Sequence, residues 1–107
     1  MVVGADPLFM MNRVALMQAA LTYALPTVVE AQIMADAGAL VSYHVSWWEQ
    51  CRRHAAFIDR ILRGAKPADL PIEQPTQFEL LINLKTAKAI GILVPQTLLS
   101  RADEVIE

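Results

Sequence analysis

From Val14 to Val29 the chain runs sixteen residues without a formal charge. No other stretch restricts its folding choices as strongly. A membrane-spanning helix needs about twenty apolar residues, and this run holds Gln18, Thr22 and the helix-ending Pro26. It is not membrane-spanning. A secretory leader would use Arg13 as its basic region, "VALMQAALTYAL" as its apolar stretch and "VEA" as a cleavage site. However, Asp6 and Pro7 open the segment and mostly apolar residues precede Asn12, the reverse of the secretory order. What remains is a helix buried on several sides. Asp6 is a good N-cap and Pro7 stands at the first helical position, where its missing N–H costs nothing. Met10, Val14, Met17, Leu21 and Leu25 recur at helical spacing, and Leu8, Leu16, Ala20 and Ala24 fill the flanks.

The surroundings of that helix alternate. Val2 and Val3 have the character of a strand leaving for it. Pro26 ends it, and Thr27 to Val29 is a β-branched run suited to a buried parallel strand. Glu30 to Ala37 is weakly helical, Gly38 is placed to close that turn, and Ala39 to Tyr43 resumes strand character. The order is β-α-β-α-β, that of a parallel sheet covered by helices. Ser46 to Glu49 spells a capping box, in which the serine hydroxyl and the glutamate carboxylate satisfy each other's free backbone N–H groups. The helix it starts has an apolar face of Trp47, Cys51, Ala55, Ile58, Ile61 and Leu62 and ends at Gly64. Residues 65 to 77 hold three of the six prolines and form an extended tether. Phe78, Leu80 and Ile82 alternate with Glu79, Leu81 and Asn83 as a strand. Asn83 caps a helix from Leu84 to Ile90, Gly91 closes it, and Pro95 opens a last helix through Val105.

Composition adds one demand. The chain has 107 residues, enough for one domain with a core, yet 55% of them are apolar, above the roughly 45–50% usual in soluble domains. More apolar surface has to be covered than one such domain hides. The net charge is −2 and the basic residues are interleaved with acids, which excludes an electrostatic footprint for nucleic acid. Cys51 is the single cysteine, so an internal disulfide is excluded.

Few residues announce chemistry. Cys51 and His54 lie three apart on one helix, with His44 and Glu49 upstream. A structural zinc site wants four ligands in paired short spacings, which one cysteine and two histidines do not supply. A cysteine nucleophile needs an orienting acid and an oxyanion loop, and neither is recognisable. No metal, no cofactor and no enzymatic activity is expected. The cluster "SYHVSWW" stands where a strand ends and a helix begins. Ligands of parallel α/β sheets settle beyond the carboxyl ends of strands, and a helix N-terminus there offers N–H groups to a carboxylate. Ser42, Tyr43, His44 and Trp47 are therefore the expected ligand-binding residues. The competing account makes Trp47 a core anchor and Trp48 part of an oligomer contact.

"GALVSY", "AFIDRILRGAKPADLPIEQPTQFELLINLKTAKAIGILVP" and "LLSRADEVIE" resemble the carboxyl-terminal end of the ABC-transporter substrate-binding proteins of the tryptophan/tyrosine type, with the periplasmic type I binding-protein fold. The resemblance covers nearly the whole chain from Asp6. Such proteins have about three hundred residues in two α/β lobes that close on a small ligand. It implies that Val2 to Ala37 sits in one lobe and the Ser46 to Leu62 helix in the other. Two departures stand out. His44 and Val45 replace the family's Gly-Pro after Ser-Tyr, removing a flexible turn. In the first helix, Met10, Met11, Leu16, Met17 and Tyr23 replace charged surface residues, as expected of an interface.

The expected fold is α/β: a partial type I periplasmic-binding-protein-like, Rossmann-like parallel sheet with flanking helices, completed by self-association. The chain reads as one α/β unit, with strand and helix alternation over 1–45, an amphipathic helix over 46–64, the tether over 65–77 and a strand-helix-helix ending over 78–107. The expected function is that of a truncated, non-enzymatic solute-binding homologue with residual affinity for an amino-acid-like small molecule. The alternative is a self-associating cytoplasmic interaction or regulatory module that has lost the ligand. A homo-oligomer, a dimer by exchange of elements among its forms, would bury Met10, Met17, Leu21 and Trp48. The family is periplasmic; with Met1 directly at a strand and no signal peptide read, the chain as written is expected in the cytoplasm.

Overall fold

Thr27 and the two valines after it set the sheet. Val28 N–H donates to Met1 O at 2.9 Å on one side, while Thr27 O accepts from Val41 N–H at 3.0 Å on the other. The buried Thr27 hydroxyl accepts a further bond from Leu40 N–H at 3.0 Å. In the computed structural model, which describes residues 1–107, two-residue strands β1 (Val2–Val3) and β2 (Val28–Val29) lie parallel, Val2 beside Val28. β3 (Val41–Val45) runs parallel to β2 with Val28 beside Val41. β4 (Phe78–Asn83) and β5 (Glu104–Ile106) complete the sheet in the order β1-β2-β3-β4-β5, and β5 is parallel to β4.

The chain divides into two compact units, Met1–His44 with Glu79–Glu107, and Val45–Phe78. In the first, Val3, Met17, Val29, Met34 and Ala39 form the core, with Leu16, Ala31 and Ala37 against them. The helical segment between β1 and β2 supplies Met17. It divides into α1 (Pro7–Met11) and α2 (Arg13–Thr22), where the sequence predicts one helix to Leu25. Asp6 caps α1 as expected, its carboxylate accepting from Leu8 N–H at 2.8 Å. The break is at Asn12, whose side-chain amide donates to Leu8 O at 2.9 Å and so competes with the helical ladder. α2 ends ahead of Pro26 because Ala24 takes a positive φ of 50°, closing the last turn with Leu25 N–H on Ala20 O at 2.8 Å.

The short helix α3 (Gln32–Asp36) leads to Gly38, where φ is 119° and a Cβ would meet Leu21 and Met17 side-chain atoms at 3.4 and 3.7 Å. Those distances are ordinary contacts, so it is the positive φ that reserves the turn for glycine. Asn83 Oδ1 caps α5 (Leu84–Ile90) by accepting from Thr86 N–H at 3.0 Å, as the sequence predicts. Leu81, Ile82 and Asn83 are buried in succession rather than alternately, the pattern of a strand covered on both faces.

Two further differences from expectation concern directions and endings. β4 is antiparallel to β3, since Asn83 N–H donates to Leu40 O at 2.8 Å while Glu79 lies beside His44. The last helix, α6 (Gln96–Leu99), stops short, and the chain ends as β5. Asp103 causes the change: its N–H donates to Leu80 O and its carboxylate accepts from Leu80 N–H, both at 2.8 Å. That reciprocal pair pins the chain beside β4, and the β-branched Val105 and Ile106 continue as strand.

The second unit holds α4 (Trp47–Leu62), a 3₁₀ turn at Pro67–Asp69 and the otherwise extended tether. The predicted capping box does not form. Ser46 makes no side-chain cap bond, and the Glu49 carboxylate faces Arg52 Nη1 at 3.4 Å and Arg53 Nε at 3.6 Å instead. Two guanidinium charges outbid one backbone N–H for the carboxylate. Nor does the apolar face of α4 enter a core: no residue of this helix is buried, because the tether shelters a different face.

Truncating Met17, which has no exposed surface, should cost roughly 2–5 kcal/mol of unfolding free energy. The same truncation at the exposed Met11 should stay within about 0.5 kcal/mol. Urea denaturation followed by circular dichroism of Met17→Ala and Met11→Ala measures both.

Candidate functional site

The alternation of β3 sorts the predicted ligand residues. Ser42 and His44 turn to the interior, and Tyr43, between them, turns outward and is 53% exposed. Ser42 is fully buried, and its Oγ lies 3.0 Å from His44 Nδ1. His44 Nε2 faces Glu79 Oε2 at 3.4 Å. A proton on Nε2, facing the carboxylate, leaves Nδ1 to accept from the serine hydroxyl. The series serine, imidazole, carboxylate has the residue types of a nucleophilic triad, but the hydroxyl is sealed from solvent and cannot meet a substrate carbonyl. It fixes the imidazole and, through it, ties β3 to β4 at Glu79.

Beside this relay is a cavity of about 230 Å³ lined by His44, Glu79, Leu80, Leu81, Asp103 and Glu104. Its carboxylates are all engaged: Glu79 by His44, Asp103 by Leu80 N–H, and Glu104 by the Gln32 amide at 3.2 Å. Sequence reasoning misses this assembly because Gln32, Glu79 and Asp103 converge only through the sheet order.

In the second unit, Trp47 and Trp48 open α4 and are 72% and 80% exposed. With the Ser46 hydroxyl making no cap bond, the first-turn N–H groups of this 16-residue helix receive no side-chain cap. Along the same helix Arg53 fastens the tether, donating from Nη1 to Gln74 O at 3.1 Å and from Nη2 to Thr76 Oγ1 at 3.3 Å. Glu49 steadies the guanidinium from one turn back. Between helix and tether lies a cavity of about 200 Å³ whose walls include Gln50, His54, Phe57 and Pro75. His54 therefore faces the tether, while Cys51 is an exposed thiol. No three His, Cys, Asp or Glu side chains gather where a metal ion could be held.

The residues expected at an oligomer contact fall in different places. Met17 is wholly taken up by the core of the first unit, Met10 and Leu21 are half-buried, and Trp48 is open. No helix is long and apolar enough to cross a membrane.

The ABC transporter substrate-binding protein family model matches residues 1–106. Among solved structures, a conserved domain protein from Vibrio cholerae superposes with a TM-score of 0.91 at 23% identity, over 97% of this chain and 35% of its own. The ABC domain from Streptococcus pneumoniae in complex with L-tryptophan gives 0.89 at 25% identity, over 98% of this chain and 36% of its own. A ligand-free, open substrate-binding protein with adhesive properties from Clostridium difficile gives 0.70 at 18% identity, over 98% and 35%. The chain thus spans about a third of the length of the structures it matches. A search of curated protein sequences finds no match.

Replacing Arg53 by alanine removes both bonds to the tether, so amide hydrogen exchange at Gln74 to Gln77 should quicken severalfold. Arg52→Ala, which touches only Glu49, should leave those amides unchanged, as read by mass spectrometry.

Proposed function

This chain belongs to the family of ABC transporter substrate-binding proteins, and from that premise we propose that it serves in solute capture, contributing ligand-facing residues for a small amino acid with an aromatic or branched side chain. The observation that carries this reading is the match of the family model to residues 1–106. The streptococcal structure that shares the fold holds L-tryptophan, which directs the choice of ligand.

The local chemistry is consistent with such a ligand. Tyr43 and Trp47 are four positions apart in the chain and both are exposed, and aromatic rings offer stacking surface to an indole or phenol. The N–H groups at the start of α4 suit a carboxylate, since the helix dipole adds to their attraction and no serine cap competes. Ser42 and His44 serve by holding the strand end rigid from the buried side, so that Tyr43 is presented in one orientation. Solute capture of this kind needs no bond-making step, and a serine sealed from solvent is compatible with that.

Titration calorimetry of the purified chain with L-tryptophan, L-tyrosine, L-phenylalanine and L-leucine should give saturable heat for at least one. Tyr43→Ala or Trp47→Ala should weaken that binding at least tenfold. Flat titrations across the whole set would remove the ligand from this account.

A further inference from the structure

We propose that two copies of this chain pair through α4, running antiparallel about a two-fold axis close to Ala55. The tether shelters only one side of the helix: Glu49, Gln50, Arg53 and Phe57 are half-buried, and the other α4 positions are exposed. On the open side Trp47, Trp48, Cys51, Ala55, Ile58 and Leu62 lie within about 100° of arc, at 100° per residue, a continuous apolar stripe four turns long.

The choice of a second copy over another occupant rests on self-complementarity. A two-fold contact presents one patch to itself, so features on either side of the axis must match in size and oppose in sign. Arg52 and Asp59 flank the same edge of the stripe, seven residues apart, with Ala55 near their midpoint. Antiparallel pairing sets each arginine against the other copy's aspartate, Trp48 over the other copy's Leu62 and Cys51 beside its Ile58. In the single chain Arg52 faces Glu49 at 3.4 Å and Asp59 accepts from Arg63 at 2.9 Å. The Asp59–Arg63 pair is exposed at both ends and weakly held, and Arg52 is an exposed guanidinium on a half-buried Glu49 that Arg53 also holds, so both Asp59 and Arg52 can change partners. Area points the same way: at roughly 150–250 Å² per aromatic ring, two indoles about three-quarters exposed offer roughly 300 Å². Their aliphatic neighbours extend the patch toward the roughly 800 Å² per partner of a standard interface. The contact covers Trp47, which the ligand reading above also uses, so pairing and capture compete for that ring; calorimetry on the Leu62→Arg monomer tests ligand binding apart from pairing.

Sedimentation velocity at tens of micromolar should show a dimer, and Leu62→Arg should give a monomer with unchanged far-ultraviolet circular dichroism. Orientation is read by oxidative cross-linking. Ala55→Cys in a Cys51→Ser background should form a disulfide dimer. The native Cys51 should not, because antiparallel pairing separates the two thiols by roughly 12 Å along the axis, past the reach of a disulfide. A monomeric native chain, a dimer that survives Leu62→Arg, or a disulfide through Cys51 overturns the proposal. So does a monomer that binds phosphatidylserine-containing vesicles through Trp47 and Trp48, which would assign the stripe to a lipid surface.

Discussion

One asparagine holds four parts of the first unit together. Asn83 donates its backbone N–H to Leu40 O ahead of β3, accepts from Thr86 N–H at the start of α5, and donates its side-chain amide to Ala35 O in α3 at 3.2 Å. All of this is buried, where an unpaired polar group costs about 1–3 kcal/mol. The strand end, both helices and the neighbouring strand must therefore arrive together or leave several such groups unpaired. Thr86 Oγ1 reinforces the junction by donating to Gly38 O at 3.0 Å. The strands β1 and β2 have two residues each, too few to define a sheet alone, and depend on the register this junction sets through β3.

The two units are built on opposite terms. The first has a core of small and flexible side chains, with methionines at 17 and 34 filling the space under the sheet. The second has no buried residue along its single long helix, and its order comes from polar fastening by Arg53. Exposed large apolar side chains are spread along the chain, from Leu8, Phe9 and Met11 to Ile92 and Leu93; on α4 they line the stripe for which a second copy is proposed.

How much of this was legible in the sequence depended on the range of the deciding interaction. The caps at Asp6 and Asn83 were readable because donor and acceptor lie within three residues. The strand at residues 78–83 was readable in extent, though not in its direction relative to β3. That direction is set by partners some forty residues away. The capping box at Ser46 failed for a local reason with two competing outcomes, since Glu49 had arginines on its far side as well as a serine before it. The last strand was illegible because three residues carry too little pattern, and Asp103 decides their fate by reaching back to Leu80. For the site, the segment Ser42 to Trp47 could be singled out, but not the partition of its side chains between a sealed relay and an open face.

The Arg53 fastening also divides the tether into two regimes. Its later part, at Gln74 and Thr76, is held to the helix, whereas the stretch before it has Ile72 almost wholly in water. Chain length near Ile72 is therefore nearly free to vary, because added residues there disturb no packed neighbour. A reporter loop or affinity sequence spliced at that point would ride on the molecule without reaching the clasp, making it the natural handle for immobilising this protein.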